Sequence, residues 1–323
     1  MIRPSWLLAP ALLALAGSGV GFSEASFTAD SHNPANGVGA HRDWTAPAAS
    51  DSIIAKAAGG STGQIKQGAS YYVYAGASDT GNPASGIASV TADVSSITSG
   101  QTAVPLSAGS YTAGGASYNY RSGPLTANPT LSQAAHAYTL VLTDGDGNRR
   151  TQTGFTVIVD NTAPSALDVQ TANKTGGVAG RPELGDQVIL SYSEPIDPNS
   201  ILAGWSGAAT DVVVRITDGG LGNDVLTIRN AANSAQLPLG SVDLRRSDFV
   251  SATRNFGASG TRSQMTQAGN TITFTLGTAS GTTTTAAGTA SMVWTPAATA
   301  TDRAGNAAST APKTETGTTD RDF

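Results

Sequence analysis

Residues 138–165 read YTLVLTDGDGNRRTQTGFTVIVDNTAPS. Tyr138 to Thr143 and Gly154 to Asp160 are rich in β-branched and aromatic residues, the composition of strands. Between them, Asp144-Gly145-Asp146-Gly147-Asn148 is a tight turn, and Asn161-Thr162-Ala163-Pro164 is a polar joint that ends the second strand. A hairpin closing on such a joint predicts a β-module before it and a second β-module after it.

The flanking sequence has the same character. Tyr71 to Ala75, Ile87 to Val94, Gln101 to Leu106 and Ser117 to Arg121 read as strands separated by Gly/Pro/Asn turns. Leu131 to His136 (LSQAAH) reads as a single helical turn. After the joint, Gln187 to Ser193, Asp211 to Thr217, Asp224 to Arg229, Ser241 to Leu244, Asn270 to Leu276 and Ser291 to Trp294 carry the period-two alternation of half-buried strands. Ser280 to Ala290 is low-complexity and reads as a loop. The expected fold is all-β, two tandem β-sandwiches over 45–160 and 166–323 with a linker at 161–165, the second carrying long inserted loops.

Composition narrows the function classes. Charged residues make up 13% of the 323 and glycine 38 positions, which is unlike a helical protein. A net charge of −5 gives no pull toward nucleic acid. The absence of cysteine removes disulfide and thiol chemistry. Residues 1–21 have the layout of a signal peptide: Arg3, then the apolar run from Trp6 to Ala16, then small residues. Residues 22–44 read as a flexible mature N-terminus, and no second long apolar run predicts a membrane span.

Two stretches carry a family resemblance. Thr143 to Asn148, followed by a strand and Val159-Asp160-Asn161-Thr162-Ala163-Pro164, resembles the end of a bacterial immunoglobulin-like repeat. Asp302-Arg303-Ala304-Gly305-Asn306 repeats the hairpin, and Val188 to Ser200 (VILSYSEPIDPNS) resembles the opening of immunoglobulin-like domains of S-layer and other surface proteins. Residues 25–29, 33–36 and 43–47 resemble the mature N-termini of exported Gram-positive proteins of the camelysin and biofilm-matrix type. These resemblances imply tandem immunoglobulin-like sandwiches in a secreted or cell-surface, non-enzymatic structural or adhesive protein, a spacer or self-associating matrix component. Its partners would be copies of itself or cell-wall or extracellular polysaccharide. A carbohydrate-binding module is the alternative, with Tyr71, Tyr72, Tyr74, Tyr118 and Tyr120 as its aromatic surface.

Few residues suggest chemistry. Asp144, Asp146 and Asn148 stand at positions one, three and five of a potential calcium loop, but Arg149 and Phe155 occupy the positions where an EF-hand needs glycine and glutamate. The plain expectation is a hairpin turn with no metal. Glu194 and Asp197 have the spacing of a carboxylate pair, yet both flank prolines and read as turn residues. Arg245, Arg246, Arg254 and Arg262 with Phe249 and Phe256 are expected in a solvated loop. His32, His41 and His136 are scattered, no nucleophile elbow is present, and no cofactor is expected.

Overall fold

The computed structural model describes residues 42–323; the expected signal peptide at 1–21 and most of the expected flexible segment at 22–44 lie outside the described residues. The chain folds as strands, with one four-residue helix among the described residues. The first sheet contains β1 (Ala48–Lys56), β2 (Gln64–Ile65), β3 (Ser70–Ser78), β4 (Ile87–Asp93), β5 (Val104–Ala113), β6 (Ala116–Ser122), β7 (Leu125–Thr126), β8 (Ala134–Asp144) and β9 (Arg149–Val159). Its order is β1-β3-β6-β5-β4-β8-β9-β2, with β7 beside β3.

The second sheet contains β10 (Ala166–Ala172), β11 (Gln187–Tyr192), β12 (Thr210–Thr217), β13 (Val225–Asn230), β14 (Ser241–Asp243), β15 (Arg254–Phe256), β16 (Ser263–Ala268), β17 (Thr271–Thr275), β18 (Val293–Thr295) and β19 (Lys313–Thr314). Helix α1 (Pro198–Ile201) follows β11. The order is β10-β11-β17-β16-β12-β13-β14-β18-β19, with β15 beside β12. Both sheets curl into sandwich- or barrel-like arrangements.

Each sheet encloses its own core. In the first, alternation along β8 and β9 points Leu140, Leu142, Val157 and Val159 inward against Ile54, Val73 and Ile97. Tyr138 sits opposite Phe155 across the strand pair, and their rings stack with centroids 5.6 Å apart. A bulge between Tyr138 and Leu140 re-phases the pair, and Gly154, at φ +94°, supplies the left-handed backbone beside it. The sheet closes over this core where the Gln152 side chain on β9 both donates to and accepts from the Ala49 backbone on β1. In the second core Trp294 is fully buried, meets Tyr192 edge-on at 4.7 Å and donates to the Leu239 carbonyl.

The structure corrects one local expectation. LSQAAH is no helical turn: Ala134, Ala135 and His136 belong to β8, paired with Val159, Ile158 and Val157. Cross-strand pairing overrides the helix propensity of alanine and glutamine there. The structure also adds strands with weak sequence signals, β1, β10 and β16, whose polar residues interrupt the apolar alternation.

Candidate functional site: repeated clasps and carboxylate clusters

The two sheets begin and end in the same way. Asp43-Trp44-Thr45-Ala46-Pro47 leads into β1, and Asp160-Asn161-Thr162-Ala163-Pro164 leads into β10. β1 pairs antiparallel with β3, and β10 with β11, each with a bulge near the entry, at Ala49/Asp51 and at Ala166/Asp168. Asp79 follows β3, and Glu194 lies two residues beyond β11.

The closing hairpins repeat in atomic detail. Asp144 Oδ1 accepts from the backbone N–H of Asn148 at 2.7 Å, while Asn148 Nδ2 donates to Asp144 Oδ2 and to the Asp43 carbonyl, both at 2.8 Å. In the second copy Asp302 Oδ1 accepts from Asn306 N–H at 2.7 Å. Asn306 Nδ2 donates to Asp302 Oδ2 at 2.7 Å and to the Asp160 carbonyl at 2.9 Å. Gly147 and Gly305 take φ of +90° and +96°, which a side chain resists. Each hairpin thus clasps the peptide that enters its own sheet, through one asparagine amide with two acceptors.

This geometry places the Asp144, Asp146 and Asn148 set. Asp144 is buried, and both its oxygens accept hydrogen bonds from its own turn. Asn148 turns its amide N–H, rather than its carbonyl oxygen, toward Asp144. These contacts are those of a hairpin clasp.

Around each clasp three carboxylates gather, with one oxygen from each within 4.8 Å of the others: Asp43, Asp79 and Asp144 in the first, Asp160, Glu194 and Asp302 in the second. The two differ in how their charge is met. Asp43 is buried although the sequence places it in the N-terminal segment. The backbone N–H groups of Thr45 and Ser85, with the Ser85 hydroxyl, hold its carboxyl below the usual carboxylate range. A Cβ on Gly81 would collide with this carboxylate. At the second clasp Glu194 Oε1 is buried without a hydrogen-bond partner. Burial first, then the charges of Asp160 and Asp302, push its carboxyl up to about 7.

Asp197 does not pair with Glu194. It caps α1, accepting from Asn199 N–H at 3.2 Å, and its Oδ2 receives Lys56 Nζ from the end of β1 at 2.6 Å. Ser61 donates to the same carboxylate, and Lys56 Nζ also reaches the Arg303 carbonyl at 3.0 Å. Lys66 Nζ donates to the Gly305 carbonyl at 2.7 Å. The β1–β2 segment of the first sheet therefore grips the cap and the hairpin of the second. A Cβ on Gly60 would displace the Asp197 carboxylate, and its φ of +87° favours glycine.

Of the remaining sequence candidates, Tyr72, Tyr74 and Tyr118 come together in one packed cluster. Tyr71, Tyr74 and Tyr118 are buried, while Tyr72 and Tyr111 sandwich the Arg121 guanidinium, each ring centroid 4.5 Å away. Phe249 and Phe256 are core residues, and Arg245 and Arg246 pair with Asp243 and Asp248, so no basic–aromatic face forms there. His136 meets the Ser132 carbonyl. His32 and His41 lie outside the described residues. No helix among the described residues is long and apolar enough to cross a membrane.

Neither the second clasp's carboxylate cluster nor the Lys56–Asp197 contact was legible beforehand. The repeated Asp-x-Thr-Ala-Pro at 43 and 160 was the available signal, since its two copies mark equivalent entries. A scan against protein-family models matches none, and no curated protein matches the chain significantly.

Proposed function

We propose that the chain is a secreted or cell-surface, non-enzymatic structural or adhesive protein of a Gram-positive-type bacterium. In this reading two tandem immunoglobulin-like sandwiches act as a spacer or self-associating matrix component. The observation that carries it is the repeated clasp. Asn148 and Asn306 each tie a closing hairpin to the peptide entering the same sheet, at Asp43 and at Asp160. An entry clasp built twice by the same residues is the construction of tandem units of one kind. The Lys56–Asp197 and Lys66–Gly305 contacts add a direct grip across the joint, which a spacer uses to limit bending.

Export rests on the apolar run from Trp6 to Ala16. The test is light scattering and electron microscopy of the full chain, together with binding to cells and to isolated wall polysaccharide. Filaments, a lattice, or binding to cells or polysaccharide support the role. A strictly monomeric chain that binds neither removes it.

A further inference from the structure

A third carboxylate cluster lies away from both clasps, in the second sheet. Glu315 follows β19, and Asp320 and Asp322 lie in the tail that returns past β10. One oxygen from each is within 4.8 Å of the others. Asp322 is only 1% exposed. Its Oδ1 accepts from the Thr171 hydroxyl at 3.2 Å, and its Oδ2 is buried without any hydrogen-bond partner. Glu315 Oε2 accepts from Met292 N–H at 3.0 Å. Among the described residues no lysine or arginine forms an ion pair with these three side chains.

Such a group is costly as it stands. A buried carboxylate oxygen without a donor loses its hydration uncompensated, and two neighbouring carboxylates add repulsion. A hard cation relieves both terms at once. Calcium takes oxygen ligands at about 2.4 Å, and one oxygen from each of these three side chains lies within 4.8 Å of the others, close enough for one ion to meet all three.

We propose that Glu315, Asp320 and Asp322 form a calcium-class divalent cation site, with Asp322 Oδ2 as its buried ligand. The bound ion fastens the tail to the β18–β19 pair and to β10. The same tail carries Phe323, which packs edge-on against Phe249 with ring centroids 5.5 Å apart, and whose carbonyl accepts from Gly180 N–H. The ion thereby ties the end of the described chain to the second core. Charge alone does not distinguish this cluster from the clasps. At the first clasp hydrogen-bond donors already surround the acids, and Glu194 at the second is less buried than Asp322.

The experiment is hydrogen exchange on the full chain, read by mass spectrometry over peptides covering 313–323. Conditions are chelator, calcium chloride or magnesium chloride at about 1 mM, the range of weaker extracellular sites. Calcium is expected to slow exchange in these peptides about tenfold or more, with magnesium doing less. Asp322→Asn keeps an acceptor for Thr171 but removes the buried charge, and Glu315→Gln keeps the shape. Both are expected to fold in chelator and to lose the calcium response at 313–323 while the rest of the second sheet is unchanged. An unresponsive wild type, a response preserved in both variants, or equal slowing by magnesium would overturn the assignment.

Discussion

Lys56 ends the first strand of one sheet and meets Asp197, the cap of the only described helix, on the other at 2.6 Å. Their side chains are 10% and 4% exposed, so the pair is shielded from the screening that weakens surface bridges. Asp197 is thus asked to do two things: to hold a helix turn and to anchor the neighbouring sheet.

Replacing Lys56 with methionine leaves a buried charge without its counter-ion. We expect a loss of about 2–3 kcal/mol in stability. The double variant Lys56→Met/Asp197→Asn should recover part of it, because the amide still caps α1 without the charge. Denaturant titration of the four-member cycle gives the coupling. Additivity of the two substitutions would show that the contact contributes nothing.

The clasp asparagines should behave alike. Asn148→Ala and Asn306→Ala each strip an amide from a buried carboxylate and a backbone carbonyl. A cost of about 1–3 kcal/mol each is expected. By hydrogen exchange, Asn148→Ala should loosen residues near Asp43, and Asn306→Ala those near Asp160. A shared pattern of loosening would contradict two separate clasps.

Gly147→Val tests the turn itself. No atom stands within 4 Å of a Cβ there, so the penalty comes from a φ of +90° alone. About 1–3 kcal/mol of strain is expected, confined to the first sheet, with exchange protection in β10 to β19 unchanged. Normal stability in the variant would mean that the loop relaxes to another turn.

That loop also shows what the sequence holds and what it hides. The β8–β9 hairpin was legible because apolar alternation and turn glycines agree locally. Its true extent was not, since Ala134 to His136 are held in β8 by pairing with Val157 to Val159 rather than by their own preference. β1 was missed because Ser50-Asp51-Ser52 breaks its pattern, although Ser52 is buried and its hydroxyl meets those of Tyr138 and the Tyr74 carbonyl. Glu194 and Asp197 stand three apart in the chain, and the turn between them sends one to the clasp and the other to Lys56. Spacing along one segment does not encode which distant segments arrive.

Glu194 sets a pH dependence in chelator. Its folded carboxyl is raised to about 7, against about 4.3 in an unfolded chain. Between these values the folded state holds a proton that the unfolded state has released, so stability falls as pH rises. The loss is complete above pH 7 and should reach roughly 1–2 kcal/mol after solvent screening. Glu194→Gln should make this decline shallower, leaving the share of other buried carboxyls such as Asp322, and match the wild type near pH 4. An unchanged slope in the variant would assign the decline elsewhere.

The central claim is that the Asn306–Asp160 clasp and the Lys56–Asp197 contact make the joint stiff. Electron microscopy of single particles of the full chain measures it most directly, as the distribution of angles between the two sheets. The account predicts one narrow distribution for the wild type and a broad one for the Lys56→Met/Asn306→Ala variant. A wild-type distribution as broad as that of the variant would contradict it.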